Sequence, residues 1–317
     1  MTNIEVKTQA RGRLPGWLRR NLAAGANVDE VRGLLEKLGL ATVCSSAHCP
    51  NIAECFSRRT ATFMILGERC ARDCRFCAVE QGMPAPVRED EPEAVAEACA
   101  RLGLRHAVIT SVARDDLPDG GAGHFARVCE AVRARLPQAV IEILTPDFQG
   151  RAEAIEVALS GRPDIFNHNV ETVPRLYPSV RPQADYQRSL FVLDHARRRA
   201  AAEGVRLHVK SGVMAGLGET RDELRAVMAD LRGAGCEMLT VGQYLAPSPR
   251  HHPVARYLPP GEFGEIEAEA RALGFRAVAS GPFVRSSYQA EKLFQQKAPA
   301  CVAFSETPAL PETSLSM

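Results

Sequence analysis

The chain is predicted to be an α/β protein, a partial (β/α)6 TIM-like barrel preceded by an N-terminal cysteine-bearing extension. Three observations predict the barrel. Six apolar runs rich in β-branched residues recur, six amphipathic stretches alternate with them, and glycines fall just past several of those stretches. Strands of a parallel sheet are covered on both faces, so they read as continuous apolar runs. Their alternation with helical periodicity indicates crossovers rather than hairpins.

Residues 1–60 form the extension: a basic arm, a helix over Val28–Leu38 ending near Gly39, and a cysteine-bearing loop over 44–55. Residues 61–285 hold the barrel. Strands are expected at Thr62–Leu66, His106–Ser111, Val140–Thr145, Asp164–Val170, Leu207–Met214 and Met238–Leu245. Helices are expected at Pro92–Leu102, His124–Leu136, Arg151–Leu159, Tyr186–Glu203, Thr220–Arg232 and Gly261–Leu273. Pro92 suits a first helical turn, where its missing N–H is not needed. Gly103, Gly204, Gly235 and Gly274 stand where a left-handed residue ends a helix. Residues 286–317 form a C-terminal segment whose tail, Ala298–Met317, lacks periodicity and is expected to be flexible.

Composition excludes several function classes. Lys plus Arg number 39 and Asp plus Glu 38, a net charge of +1, which argues against nucleic-acid binding by bulk charge. No apolar run is long enough for a membrane span. The stretch MTNIEVKTQARGRLPGWLRRN has no apolar core of a secretory signal, so a cytoplasmic location is expected.

Six of the ten cysteines fall in two triplets. Cys44, Cys49 and Cys55 have spacing C-x4-C-x5-C; Cys70, Cys74 and Cys77 have spacing C-x3-C-x2-C. A disulfide framework fits a small secreted domain better than this chain. Structural zinc prefers four ligands in C-x2-C pairs, and His48 is the only histidine near either triplet; zinc stays open on spacing alone. Three thiolates leave one corner of a four-iron cubane open for another ligand. The second triplet follows the first strand directly, at the strand end where barrel chemistry sits. Cys99, Cys129, Cys236 and Cys301 are isolated, and core packing is their default role. His251-His252 resembles a metal pair but reads as a solvated turn beside Pro253.

The segment Cys70-Ala71-Arg72-Asp73-Cys74-Arg75-Phe76-Cys77 resembles the signature of the radical S-adenosylmethionine (SAM) superfamily. Gly212-Val213-Met214-Ala215-Gly216-Leu217-Gly218-Glu219 is similar to the glycine-rich turn after that superfamily's fifth strand. Cys44-x4-Cys49-x5-Cys55, Phe166-Asn167-His168-Asn169-Val170-Glu171-Thr172 and Arg285-Ser286-Ser287-Tyr288 narrow the resemblance to the lipoyl synthase family, over residues 15 to 290. Departures are small: Ala113 replaces a commonly polar residue, Ser45-Ser46 an acidic pair, and Arg58-Arg59 a glycine-containing link.

The resemblance implies the radical SAM type of barrel and two 4Fe-4S clusters. Cys70, Cys74 and Cys77 would hold a catalytic cluster whose open iron chelates SAM; Cys44, Cys49 and Cys55 would hold an auxiliary one. Ser287, in preference to Ser286, would complete the auxiliary cluster. Phe76, Asn169, Glu171 and Arg181 would contact SAM. The implied reaction places two sulfur atoms on C6 and C8 of an octanoyl chain carried by a lysine. The implied partners are an octanoylated lipoyl carrier domain (of a dehydrogenase-complex acyltransferase or the glycine cleavage H protein) and an electron donor such as ferredoxin or flavodoxin, with no nucleic acid and no membrane. Biotin synthase chemistry and a non-enzymatic iron–sulfur or zinc protein are the rival readings.

Overall fold

The computed structural model describes residues 14–19 and 26–296. The expected Ala298–Met317 tail, Cys301 and most of the basic arm lie outside them. Seven parallel strands form one sheet: β1 (Thr62–Ile65), β2 (His106–Ser111), β3 (Val140–Leu144), β4 (Ile165–Asn167), β5 (His208–Ala215), β6 (Met238–Gln243) and β7 (Ala277–Gly281). They neighbour one another in chain order. A two-residue strand, Ala41–Thr42, adds to β1 antiparallel. The sheet order ends at that strand on one side and at β7 on the other, so the barrel stays open.

Helix α1 (Ala26–Lys37) belongs to the extension. Six more helices follow the first six parallel strands: α2 (Glu91–Leu102), α3 (Ala122–Arg135), α4 (Ala152–Ser160), α5 (Tyr186–Ala202), α6 (Arg221–Gly233) and α7 (Pro260–Ala272). All four glycines expected to end helices have positive φ, from 66° to 90°. A capping box between Thr220 and Glu223 starts α6. Among the described residues no helix is long and apolar enough to cross a membrane.

The six expected strands are present, and a seventh, β7, was not expected. Its sequence, AVASG, is too small and polar at one end to stand out as a buried strand. The fourth strand is shorter than expected. It stops at Asn167, and Glu171 turns to φ 63°, rejoining β5 through one bridge to Val213.

Side chains of the strands alternate between the helices and the barrel interior. Ala107, Ile109, Ile141, Ile143 and Phe166 pack outward with α2 and α3 in one apolar core. Val209, Val213, Leu239 and Val241 pack with α6 and α7 in a second. The interior is polar. Lys210 and Glu142 are both fully buried there, with Lys210 Nζ donating to Glu142 Oε1 at 2.7 Å. Burial raises the Glu142 pKa, but the Lys210 charge and a contact from His106 outweigh it, leaving the carboxyl well below the usual range.

Candidate active site

The second cysteine triplet lies where the strand ends converge. Cys70 sits in a short parallel pairing, Arg69–Cys70 with Glu80–Gln81. The Ala113 amide, just past β2, donates to Cys70 Sγ at 3.3 Å, and the Ala71 amide donates to Ala113 O. The Arg75 amide bonds to Val180 O, and the His252 amide bonds to Arg75 O. Arg72 is buried and reaches two strand ends. It donates to both carboxylate oxygens of Asp115 at 2.6 and 2.8 Å and to Asp147 Oδ1 at 2.6 Å. These contacts tie the cysteine loop to the scaffold.

His251 and His252 are not a solvated turn. Both are half-buried; His251 Nε2 contacts Cys77 O at 3.0 Å, and His252 Nε2 contacts Leu217 O at 3.2 Å. They staple the loop after β6 onto the cysteine loop. Their backbone-carbonyl partners were invisible in sequence because those partners lie 174 and 35 residues away.

Arg181 is buried beside this triplet rather than in a surface salt bridge. One of its Nη atoms donates to Asn169 O and Val170 O, both at 3.1 Å, while its Nε has no partner. Burial raises the Cys74 thiol, and the Arg181 charge opposes that rise. Asn169 Nδ2 donates to Glu171 Oε1 at 3.1 Å, so these two side chains do meet. Desolvation pushes the Glu171 pKa up, against the nearby Arg181 charge. Phe76 is half-buried and packs on the second core. The glycine-rich turn after β5 is held by Glu219, which accepts from the Gly216 and Leu217 amides at 2.6 and 2.9 Å. At Gly216, with φ 98°, a Cβ would stand 2.4 Å from Arg256 O.

The first triplet lines a cavity of about 310 Å³ that reaches the starts of β1 and β2. Cys44 leaves a short helix, Val43–Ser46, capped by Thr42, and Cys55 lies in a second, Ile52–Ser57. The C-terminal segment supplies the opposite wall with Arg285, Ser287 and Tyr288. Three contacts bring it there: Thr62 Oγ1 to Ser287 Oγ at 2.8 Å, Asn51 Nδ2 to Phe283 O at 2.7 Å, and Tyr288 Oη to Glu54 at 3.0 Å. Ser287 thus shares the cavity with Cys44, Cys49 and Cys55. Ser286 points away, into the barrel, between Asn167 and Asn169.

One interior glycine lets the C-terminal segment lie so close, and a second makes room for Asn169. At Gly242 of β6 a Cβ would stand 2.0 Å from Val284 O, and at Gly212 of β5 it would stand 2.7 Å from Asn169 Oδ1.

The donor sets suit clusters. All six thiols are free. Burial first, then the neighbouring thiols, push Cys55 up to about 12; burial, outweighing a backbone hydrogen bond, pushes Cys77 to about 12. Thiols crowded in this way ionise when a cation neutralises them. Among the described residues no three His, Cys, Asp or Glu side chains gather around a point for a single metal ion. The orphaned Arg181 Nε offers a buried donor to an anionic group beside Cys74. The three remaining described cysteines, Cys99, Cys129 and Cys236, are buried in the apolar cores.

Residues 64–231 match the family model of the radical SAM superfamily, and with this site they define a radical SAM enzyme. Such membership implies a 4Fe-4S cluster and SAM. Curated relatives sharpen the assignment. The chain is 55% identical to the lipoyl synthase of Methylococcus capsulatus over 91% of this chain and 89% of that protein. It is 53% identical to the lipoyl synthase of Desulfotalea psychrophila, over 91% and 95%. The chain belongs to the lipoyl synthase family. Among solved structures it resembles HydG, a maturase of the FeFe-hydrogenase, with a TM-score of 0.54 at 14% identity, covering 79% of this chain and 65% of that one. At that identity the likeness speaks for the fold alone.

Proposed function

We propose that this enzyme inserts two sulfur atoms, at C6 and C8 of a protein-bound N6-octanoyl-lysine, to form lipoyl-lysine. The observation that carries the reading is the pairing of two separate thiol triplets, one at the strand ends beside Arg181 and one in a cavity shared with Ser287. When bound, a 4Fe-4S cluster with SAM supplies hydrogen abstraction from unactivated carbon, and a second cluster supplies sulfur.

Each residue has a definite task in this reading. Cys70, Cys74 and Cys77 hold the catalytic cluster, and Arg72 keeps their loop in place through Asp115 and Asp147. Arg181, Asn169 and Glu171 line the SAM side, with Phe76 anchored beside them on the core. Cys44, Cys49, Cys55 and Ser287 hold the auxiliary cluster. The barrel interior between them excludes water, so that abstraction is directed to the substrate. The carrier is an octanoylated lipoyl domain, the reductant a ferredoxin or flavodoxin, and the compartment the cytoplasm.

The test is anaerobic reconstitution, incubation of an octanoylated lipoyl domain with SAM and reductant, and mass spectrometry of the domain. Expected is a gain of two sulfurs with loss of two hydrogens. SAM cleavage without sulfur gain in the carrier would overturn the assignment.

A further inference from the structure

A polar chain runs through the barrel from its buried ion pair to the SAM side, and Ser286 is its middle link. Lys210 Nζ donates to Glu142 Oε1 at 2.7 Å. Asn167 Nδ2 donates to the same carboxylate oxygen at 2.8 Å and to Ser286 Oγ at 2.9 Å. Ser286 Oγ in turn donates to Asn169 Oδ1 at 2.9 Å, and Asn169 Nδ2 donates to Glu171 at 3.1 Å. The next residue along, Ser287, faces the auxiliary cavity.

We propose that Ser286 and Asn167 are positioning residues that couple the two centres. The Ser286 hydroxyl fixes the segment that presents Ser287 to Cys44, Cys49 and Cys55, and it also orients Asn169 toward the SAM side. Asn167 can do this because the buried Lys210–Glu142 pair fixes its amide. The direction of donation is dictated along the chain: Lys210 and the Asn167 amide only donate, the Glu142 carboxylate only accepts, and Ser286 therefore spends its one proton on Asn169. Gly212 and Gly242 make room for this contact, since a Cβ at either would strike Asn169 or the Val284 carbonyl. Ser286 and Ser287 lie in the turn after β7 with their hydroxyls on different sides, one bonded to Asn169 and the other to Thr62, so one short segment touches both centres.

The proposal rests on the reading of Ser287 as the auxiliary ligand, and two measurements separate the two ideas. The first is the rate at which anaerobically reconstituted protein loses auxiliary iron to a ferrous chelator, with the catalytic triplet replaced by alanine so that only that cluster reports. The second is the SAM dissociation constant of the reconstituted enzyme with both triplets intact. Ser286→Ala and Asn167→Asp are expected to speed iron loss about fivefold and weaken SAM binding about fivefold, the scale of one lost hydrogen bond. Ser286→Thr keeps the hydroxyl and is expected to stay near the parent in both. Ser287→Ala is expected to speed iron loss while leaving SAM binding unchanged. An effect of Ser286→Ala on neither centre, or on one alone, overturns the coupling while leaving the ligand reading intact. A Ser287→Ala protein that keeps its iron like the parent overturns the ligand reading and the proposal with it. Circular dichroism on each variant separates these outcomes from a general loss of fold.

Discussion

His168 is held neutral by its surroundings. Burial first, then the Arg181 charge, push its pKa down to about 4 from 6.5. Its Nδ1 lies 2.9 Å from Thr145 O, and its Nε2 has no partner. Because the folded value is the lower one, the fold favours the unprotonated ring. Its stability contribution is present above pH 6.5 and is lost as pH falls towards 4, a loss approaching about 3 kcal/mol. Asp147 is also buried, but Arg72 drives its pKa far down, so its own loss begins below the ordinary carboxylate pKa and stays distinct. In metal-free protein, His168→Gln is expected to flatten the fall of the thermal midpoint between pH 6.5 and 4; a curve parallel to the parent's would show that this ring is not responsible. At Ser287 the chemistry of the donor atom is the variable. Ser287→Cys replaces a hard oxygen with a softer thiolate, so auxiliary iron is expected to be held at least as firmly while turnover slows. Faster iron loss to a chelator from this variant than from the parent would contradict the ligand role. Both triplets were legible because their thiols stand at close spacing, whereas Ser287, far along the chain from Cys55, came only from the resemblance carried by Arg285-Ser286-Ser287-Tyr288. The Glu142–Lys210–Asn167 chain was not, since its members lie 25 to 68 residues apart and a lysine within a strand carries no signal of burial.

Elements were legible to the extent that burial is two-sided. The runs at His106–Ser111 and Val140–Leu144 are enclosed by helices and the barrel interior, and their bounds came within a residue. β7 escaped notice because small residues suffice where the C-terminal segment lies against the strand. Gly281 faces Val284, and Gly242 beside it faces the Val284 carbonyl. This packing makes Gly242 a sharp probe. A methyl there would stand 2.0 Å from backbone, which cannot rotate away, so Gly242→Ala must displace the segment carrying Ser287. The variant is expected to retain roughly four irons per chain and to keep forming 5′-deoxyadenosine, with sulfur insertion lost. Gly233 at the end of α6 has no atom within 4 Å of a would-be Cβ, and Gly233→Ala is the neutral or slightly stabilising control. If both behave alike, the close approach at β6 has no functional weight.

At the scale of the whole molecule, the extension, the barrel and the C-terminal segment meet around one cavity. The Ala290–Phe294 helix follows Ser287 and carries Phe294 against His106 of β2 and His208 of β5, while Arg105 pairs with Glu291. Cys44, Cys49 and Cys55 precede the first barrel strand and Ser287 follows the last, so the cavity they share is built only when these two distant segments come together. Cys70, Cys74 and Cys77 sit instead on one loop tied to the ends of β2 and β3 by Arg72, Asp115 and Asp147. The two centres should therefore fail separately. Reconstituted protein is expected to hold roughly eight irons per chain. Alanine at Cys70, Cys74 or Cys77 is expected to abolish SAM cleavage and leave roughly four irons, since the auxiliary cavity is built by other elements. Alanine at Cys44, Cys49 or Cys55 is expected to leave 5′-deoxyadenosine formation and end sulfur insertion. Arg72→Ala tests the scaffold side of the same argument. It leaves Asp147, itself fully buried, with the neutral Gln149 amide at 3.0 Å and the longer Arg188 contact at 3.2 Å. Removing one partner of a buried ion pair costs about 3 kcal/mol or more, which denaturant unfolding of the metal-free protein can measure. The variant is then expected to lose catalytic-cluster iron ahead of auxiliary iron. Equal loss from both centres would mean that the loop and the cavity are one cooperative unit, and the separation argued from their elements would be wrong.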